Sequence, residues 1–115
     1  MKNYYETVFI LTPVLSEDQV KEAVKKFRDF ITENGGEILW EEDWGLKKLA
    51  YPIQHKKNGF YHLIEFKYDP EKISRLDLEM KRDERVIRHL IVKLDKHAIA
   101  WNEKRREKKK EQKNA

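Results

Sequence analysis

The sequence predicts an α+β fold, a four-stranded antiparallel sheet with two helices packed on one face. Three observations lead there. Extended and helical patterns follow one another as strand, helix, strand, strand, helix, strand, the order of a split β-α-β pair. Each helical segment carries one apolar stripe and so has one face to bury. At 115 residues, the chain is long enough for a single core and too short for two.

Residues 4–12 (YYETVFILT) are rich in β-branched and aromatic residues, and Pro13 closes them as a strand. Alternation divides them into Tyr5, Thr7, Phe9, Leu11 and Glu6, Val8, Ile10, Thr12. Both sets hold apolar residues, which suits a central strand covered on both sides. A helix follows. Ser16 caps it, Gln19 completes an S-x-x-Q capping box, and Leu15 with Val20 forms a hydrophobic staple. Val20, Val24, Phe27 and Ile31, joined by Ala23 and Phe30, make its stripe. Gly35 and Gly36 end it, since glycine takes the left-handed conformation that closes a helix.

Residues 37–44 and 46–53 read as extended, with Gly45 as a bend or bulge between them. A turn from His55 to Gly59 leads into a strand over 60–68, where His62, Ile64 and Phe66 alternate with Tyr61, Leu63 and Glu65. Asp69 as N-cap and Pro70 at the first helical position open the second helix, with Ile73, Leu76 and Met80 on its buried side. A last strand spans 86–94. In this order the first and third strands lie in the middle of the sheet, and the crossovers are right-handed. Two helices cover one sheet face only. The apolar residues on the other face, Val8, Ile10, Tyr61, Leu63, Leu90 and Val92, are therefore candidates for a partner-docking surface. A register slip of one residue would exchange the two sets.

Charge narrows the class of partner. Charged residues make up 40% of the chain, against about 25% in an ordinary globular protein. Thirteen aromatics (three Trp, five Tyr, five Phe) argue against disorder. Residues 101–115 hold seven Lys/Arg and three Glu, which leaves 18 basic and 18 acidic residues in 1–100. A basic tail on a balanced domain favours a polyanion such as nucleic acid. Past Trp101 the tail has no apolar anchors for a membrane, and no run approaches the ~18 apolar residues of a membrane span. With no cysteine, disulfide and thiol chemistry are excluded, and a reducing intracellular compartment is the expectation.

Several local patterns bear on chemistry. Lys47 and Lys48 are adjacent on an extended segment, so their side chains point to opposite faces unless Gly45 distorts the pleat. Phosphate contact and protection of a sheet edge are both open for them. Arg82, Arg85 and Arg88 cluster with Lys81 at a helix-to-strand junction, where guanidinium forks suit phosphate oxygens. Pairing with Asp83 and Glu84 is the competing use, and phosphate contact is favoured because the cations outnumber those acids. Gly59-Phe60-Tyr61 begins like an RNA-recognition-motif signature, but Asn58, Tyr61 and His62 break the pattern. Protein packing is thus a better use of that face than base stacking. The four histidines show no HxxxH spacing, and Glu41-Glu42-Asp43 alone is too short a ligand set for a cation cage. No P-loop, nucleophile elbow or dinucleotide fingerprint is present. No cofactor, metal, catalytic residue or small-molecule substrate is expected.

Gly45-Leu46-Lys47-Lys48-Leu49-Ala50-Tyr51-Pro52-Ile53 is close to the hallmark segment of one family. Tyr5-Glu6 in the first strand and Arg82-Asp83, Val86-Ile87-Arg88 and Val92-Lys93 near the last strand accompany it in order and spacing. Over residues 3–97 the chain resembles the bacterial small-subunit ribosomal protein six family. That resemblance implies a ferredoxin-like fold, a ribosome-associated cytoplasmic location and a structural, non-enzymatic role. It also implies binding to the central domain of small-subunit ribosomal RNA with ribosomal protein eighteen as heterodimer partner. The expected division is a ferredoxin-like domain over 1–97 and a basic C-terminal tail over 98–115. The tail lacks the poly-glutamate target of some relatives, and only its charge is carried forward. RNA contact is assigned to Lys47, Lys48, Arg82, Arg85 and Arg88, and partner contact to the six apolar residues above. Two alternatives are a ferredoxin-like regulatory or oligomerising module that pairs open sheets, and an acylphosphatase-like hydrolase. The second wants an Arg in the loop after the first strand, where residues 13–18 (PVLSED) offer two acids and no Arg.

Overall fold

The computed structural model describes residues 2–53 and 56–114. Its elements are β1 (Asn3–Leu11), α1 (Glu17–Glu33), β2 (Glu37–Ile53), β3 (Lys56–Tyr68), α2 (Ile73–Arg82), β4 (Val86–Lys93) and α3 (Lys96–Asn114). The strands lie in the order β2-β3-β1-β4, and every pairing is antiparallel. This is the expected ferredoxin-like arrangement with β1 and β3 in the middle. Among the described residues, no helix is long and apolar enough to cross a membrane.

Register decides which side chains are buried. Tyr5, Thr7 and Phe9 of β1 stand opposite Phe66, Ile64 and His62 of β3. These residues face the helices. Tyr5, Phe9, Leu11, Ile64, Phe66 and Tyr68 pack with Ala23, Phe27 and Ile31 of α1 and with Leu76 and Met80 of α2 in one core. The Phe9 and Phe27 rings meet edge-on at 5.3 Å, a favoured aromatic geometry. Thr7 carries a polar atom into this core, and its Oγ1 is satisfied by donating to the Leu90 carbonyl at 3.0 Å.

The limits of α1 follow from local chemistry. The Gln19 amide N–H donates to Ser16 Oγ at 3.2 Å, and the Ser16 amide donates to Gln19 Oε1 at 2.8 Å, closing the capping box. At the other end Gly35 has φ +83°. Gly36 N–H donates to the Ile31 carbonyl at 2.8 Å and Gly35 N–H to that of Thr32 at 3.2 Å, which is a Schellman closure.

Three boundaries differ from the sequence reading. The second helix starts at Ile73 with Lys72 at the cap position, not at Asp69. Asp69 instead accepts the Glu71 amide on Oδ1 at 2.9 Å, and its carbonyl accepts from Lys72 at 3.0 Å. Asp and Pro thus build a β-turn ahead of the helix, a use that suits them equally. The two extended segments around Gly45 form one strand, β2, with a register shift between Asp43 and Gly45. β3 begins at Lys56, earlier than expected; the start of the predicted turn at His55 lies outside the described residues.

The C-terminal residues form α3. It starts at Lys96, capped by Asp95 Oδ1 accepting the Ala98 amide at 2.7 Å. The expected division between residues 97 and 98 therefore falls in its first turn. Ile99 and Glu103 line a cavity of ≈ 250 Å³ with Tyr4, Leu39, Glu65 and Lys67, so α3 stands at one end of the sheet face opposite α1 and α2.

The Schellman closure makes a testable demand. A Cβ at Gly36 would lie 2.6 Å from the Ile31 carbonyl oxygen and 2.7 Å from Tyr68 Cδ1. Gly36→Ala is expected to lower stability by about 1–3 kcal/mol, measured by urea denaturation, with no such collision at Gly35.

Candidate nucleic-acid and protein interface

Cross-strand rows define the face that α1 and α2 leave uncovered. Glu42, Leu63, Val8 and Leu90 form one row from β2 to β4. Gly45, Tyr61, Ile10 and Arg88 form the row beside it, and Trp40, Glu65, Glu6 and Val92 the row on its other side. The six apolar candidates therefore share one face, as expected. Their exposure is uneven. Leu90 is 60% and Val92 43% exposed, whereas Leu63 is 2% exposed and Ile10 is also buried. Ile10 is covered because the β3 backbone at Gly59 lies against its Cγ2, where a Cβ would collide. Val8, Ile10 and Leu90 line an apolar depression of ≈ 350 Å³ with Arg88 and His89.

The five candidate cations are not gathered at one point. Past the Gly45 bulge, Lys47 stands opposite Gly59 and Lys48 opposite Asn58. Normal alternation has resumed there, so the two lysines point to opposite faces. Lys47 lies on the uncovered face with its Nζ 5.4 Å from the centre of the Trp44 ring. Arg82 is the exposed last residue of α2. Arg88 lies over the Tyr51 ring at 5.9 Å and donates to the Tyr51 hydroxyl.

Arg85 is placed otherwise. Its Nη2 donates to Asp83 Oδ2 at 2.8 Å and its Nε to Oδ1 at 3.0 Å, while Lys26 Nζ reaches Asp83 Oδ2 at 3.1 Å. The Arg85 fork, backed by its own amide and by Lys26, holds the buried Asp83 carboxyl far below the ordinary carboxylate range. Asp83 was one of the local acids that competed for this cluster in the sequence, and it engages both arms of the Arg85 fork.

The helix side is also internally paired. Arg28 makes two hydrogen bonds to the Glu41 carboxylate, one of 2.7 Å from Nη2 and one from Nε, and lowers its pKa. His62 Nε2 lies 3.3 Å from Glu41 Oε2. Burial pushes the His62 pKa down despite that carboxylate. His89 Nε2 is 2.7 Å from Asp77 Oδ1. Glu41 and Glu42 fall on opposite sheet faces by register. Among the described residues no three His, Cys, Asp or Glu side chains are grouped to hold a metal ion.

Two side chains on this face escaped the sequence reading. Trp44 stacks on Tyr61, with centroids 6.2 Å apart and planes at 23°, and Tyr51 packs with Arg88. The bulge explains Trp44. Gly45 has φ +72°, and the Asp43/Gly45 shift sets Gly45 opposite Tyr61. An aromatic residue next to a suspected bulge glycine was the available signal.

Fold and surface together define a split β-α-β protein of the ferredoxin-like class, with α1 and α2 on one sheet face and apolar and basic groups on the other. The model of the family described as Ribosomal protein S6 matches residues 4–93, and the chain belongs to that family. It is 62% identical over 109 residues to small ribosomal subunit protein bS6 of Christiangramia forsetii, covering 95% of this chain and 97% of that one. With the protein of the same name from Flavobacterium johnsoniae it is 62% identical over 106 residues, covering 92% and 94%. In fold it is similar to 30S ribosomal protein S6 from Thermotoga maritima, with TM-score 0.79 and 24% identity over 95% of this chain and 99% of that one.

The Asp83 network has a pH signature. A depressed carboxyl pKa contributes stability above about pH 4 that is lost as pH falls below that range. Asp83→Asn is expected to lower stability at neutral pH by about 1–3 kcal/mol. The difference from the parent should shrink steadily on acidification, as read by urea denaturation at a series of pH values.

Proposed function

We propose that this protein is a structural constituent of the small ribosomal subunit, working in the cytoplasm without catalysis. It binds the central domain of small-subunit ribosomal RNA together with ribosomal protein eighteen, its heterodimer partner. Family membership supports the ribosomal role. The observation that supports a docking role is the row of Leu63, Val8 and Leu90 on a face that α1 and α2 leave bare. Leu90 and Val92 present exposed apolar area to the protein partner, Val8 and Tyr61 extend it, and Ile10 and Leu63 form its floor. Lys47 and Arg88 contact sugar-phosphate backbone from this face, Lys48 from the opposite one and Arg82 from the end of α2. Arg85, clamped by Asp83, contributes positive potential near the same junction. Backbone contact positions a protein without reading sequence, so RNA shape selects the site.

Binding of the full chain with ribosomal protein eighteen to a central-domain RNA fragment should weaken steeply with salt as counterions are released. Arg88→Ala is expected to reduce the slope of log K against log salt by about one. A flat salt response would remove the electrostatic reading. Leu90→Asp is expected to abolish co-sedimentation with the protein partner while leaving the melting temperature nearly unchanged. A stable homodimer that ignores the partner would favour the self-pairing module instead.

Residues 106–115 contain five Lys/Arg and two Glu. Their removal is expected to weaken RNA binding and shallow its salt dependence, with the melting temperature little altered because the Ile99 and Asn102 turns remain.

A further inference from the structure

We propose that Trp44 and Tyr61 form a stacking site for an unpaired RNA base, with Lys47 holding the adjoining phosphate. The proposal rests on the RNA-binding reading above and adds a position at which a base, rather than backbone alone, is held. Trp44 is 37% exposed, and one part of its ring system is already packed in parallel on Tyr61. The Lys47 ammonium hovers 5.4 Å from its centre. The Trp44 Nε1–H donates to Glu42 Oε2 at 3.4 Å, which ties down the indole plane. An indole hydrogen-bonded at its polar edge, backed by a second ring and overhung by the Lys47 ammonium, is arranged for a flat π system to slide beneath the lysine. The ammonium then moves from the indole to the phosphate of the same nucleotide.

The surrounding row carries a second cation within reach of the same strand. Tyr61, Ile10 and Arg88 are neighbours across β3, β1 and β4, and strands lie about 4.8 Å apart. Arg88 therefore stands about 10 Å from Tyr61 along the row, a span that a flexible nucleotide step can bridge to a second phosphate. Tyr51 beside Arg88 adds another exposed ring. Aromatic platforms flanked by cations are how single strands are held without sequence readout. The Glu42 carboxylate accepts from the indole N–H, which places it at the ring edge, away from the stacking face. His62, at the stacking position of the broken RNA-recognition-motif pattern, faces the helices beside Phe9, whereas the Gly45 bulge leaves the Trp44 ring on the uncovered face, stacked on Tyr61.

The test uses the full chain with a short fluorescein-labelled oligouridylate and, separately, an A-form RNA duplex, read by fluorescence anisotropy. Trp44→Ala is expected to weaken oligouridylate binding about tenfold and to leave duplex binding and its salt slope unchanged. Trp44→Phe should restore most of the loss and Trp44→Leu should not, a comparison that survives if the alanine variant folds poorly. Equal losses on both RNAs, or full binding by the leucine variant, would overturn the proposal. So would loss of co-sedimentation with ribosomal protein eighteen while oligouridylate binding stays intact, since Trp44 would then be a protein contact. Failure of the wild-type chain to bind central-domain RNA would instead count against the broader RNA-binding reading.

Discussion

β1 is hydrogen-bonded along both edges, to β3 on one side and β4 on the other, and this double pairing constrains everything else. A strand with two partners has no freedom to slide, because slipping by one residue would turn Phe9 and Leu11 out of the core and bring Val8 and Glu6 in. Once Phe9 faces Phe27, the identity of each face is settled across all four strands. Leu63, Leu90 and Arg88 are placed by their opposition to Val8 and Ile10. The surface assigned to partners is in this sense a by-product of how the core is satisfied.

The charged groups divide according to whether a local acid reaches them. Arg28 and Arg85 are both held bidentately by carboxylates, Glu41 and Asp83, and serve the fold. Arg88 and Lys47 rest on aromatic rings instead, and a ring is a cheaper partner to leave than a carboxylate. Two arginines three residues apart in one short segment thus have different availability, which composition does not distinguish.

Much of the fold was legible from residue pattern. Ser16 and Gln19 announced the start of α1, Gly35 its end, and alternation in β1, β3 and β4 sorted the six apolar candidates onto one face. Those signals are local or have a fixed period, so one segment suffices to read them. The start of α2 was misplaced because Asp-Pro suits a turn as well as a helix N-terminus. Exposure was misjudged at Ile10 because its cover is a glycine backbone distant in sequence. Trp44 and the Arg85 clamp were hidden for related reasons: one depends on a bulge that changes which rows meet, the other on which of several nearby acids wins.

The pairing of Tyr5 with Lys93 has a kinetic consequence. The second edge of β1 stays bare until nearly the whole domain has left the site of synthesis, and both middle strands depend on contacts distant along the chain. Loop-closure entropy must be met before those contacts form, which slows folding relative to a helical bundle of equal size. During that interval the nascent chain carries an unprotected β edge, a state in which premature association with other chains is the principal hazard.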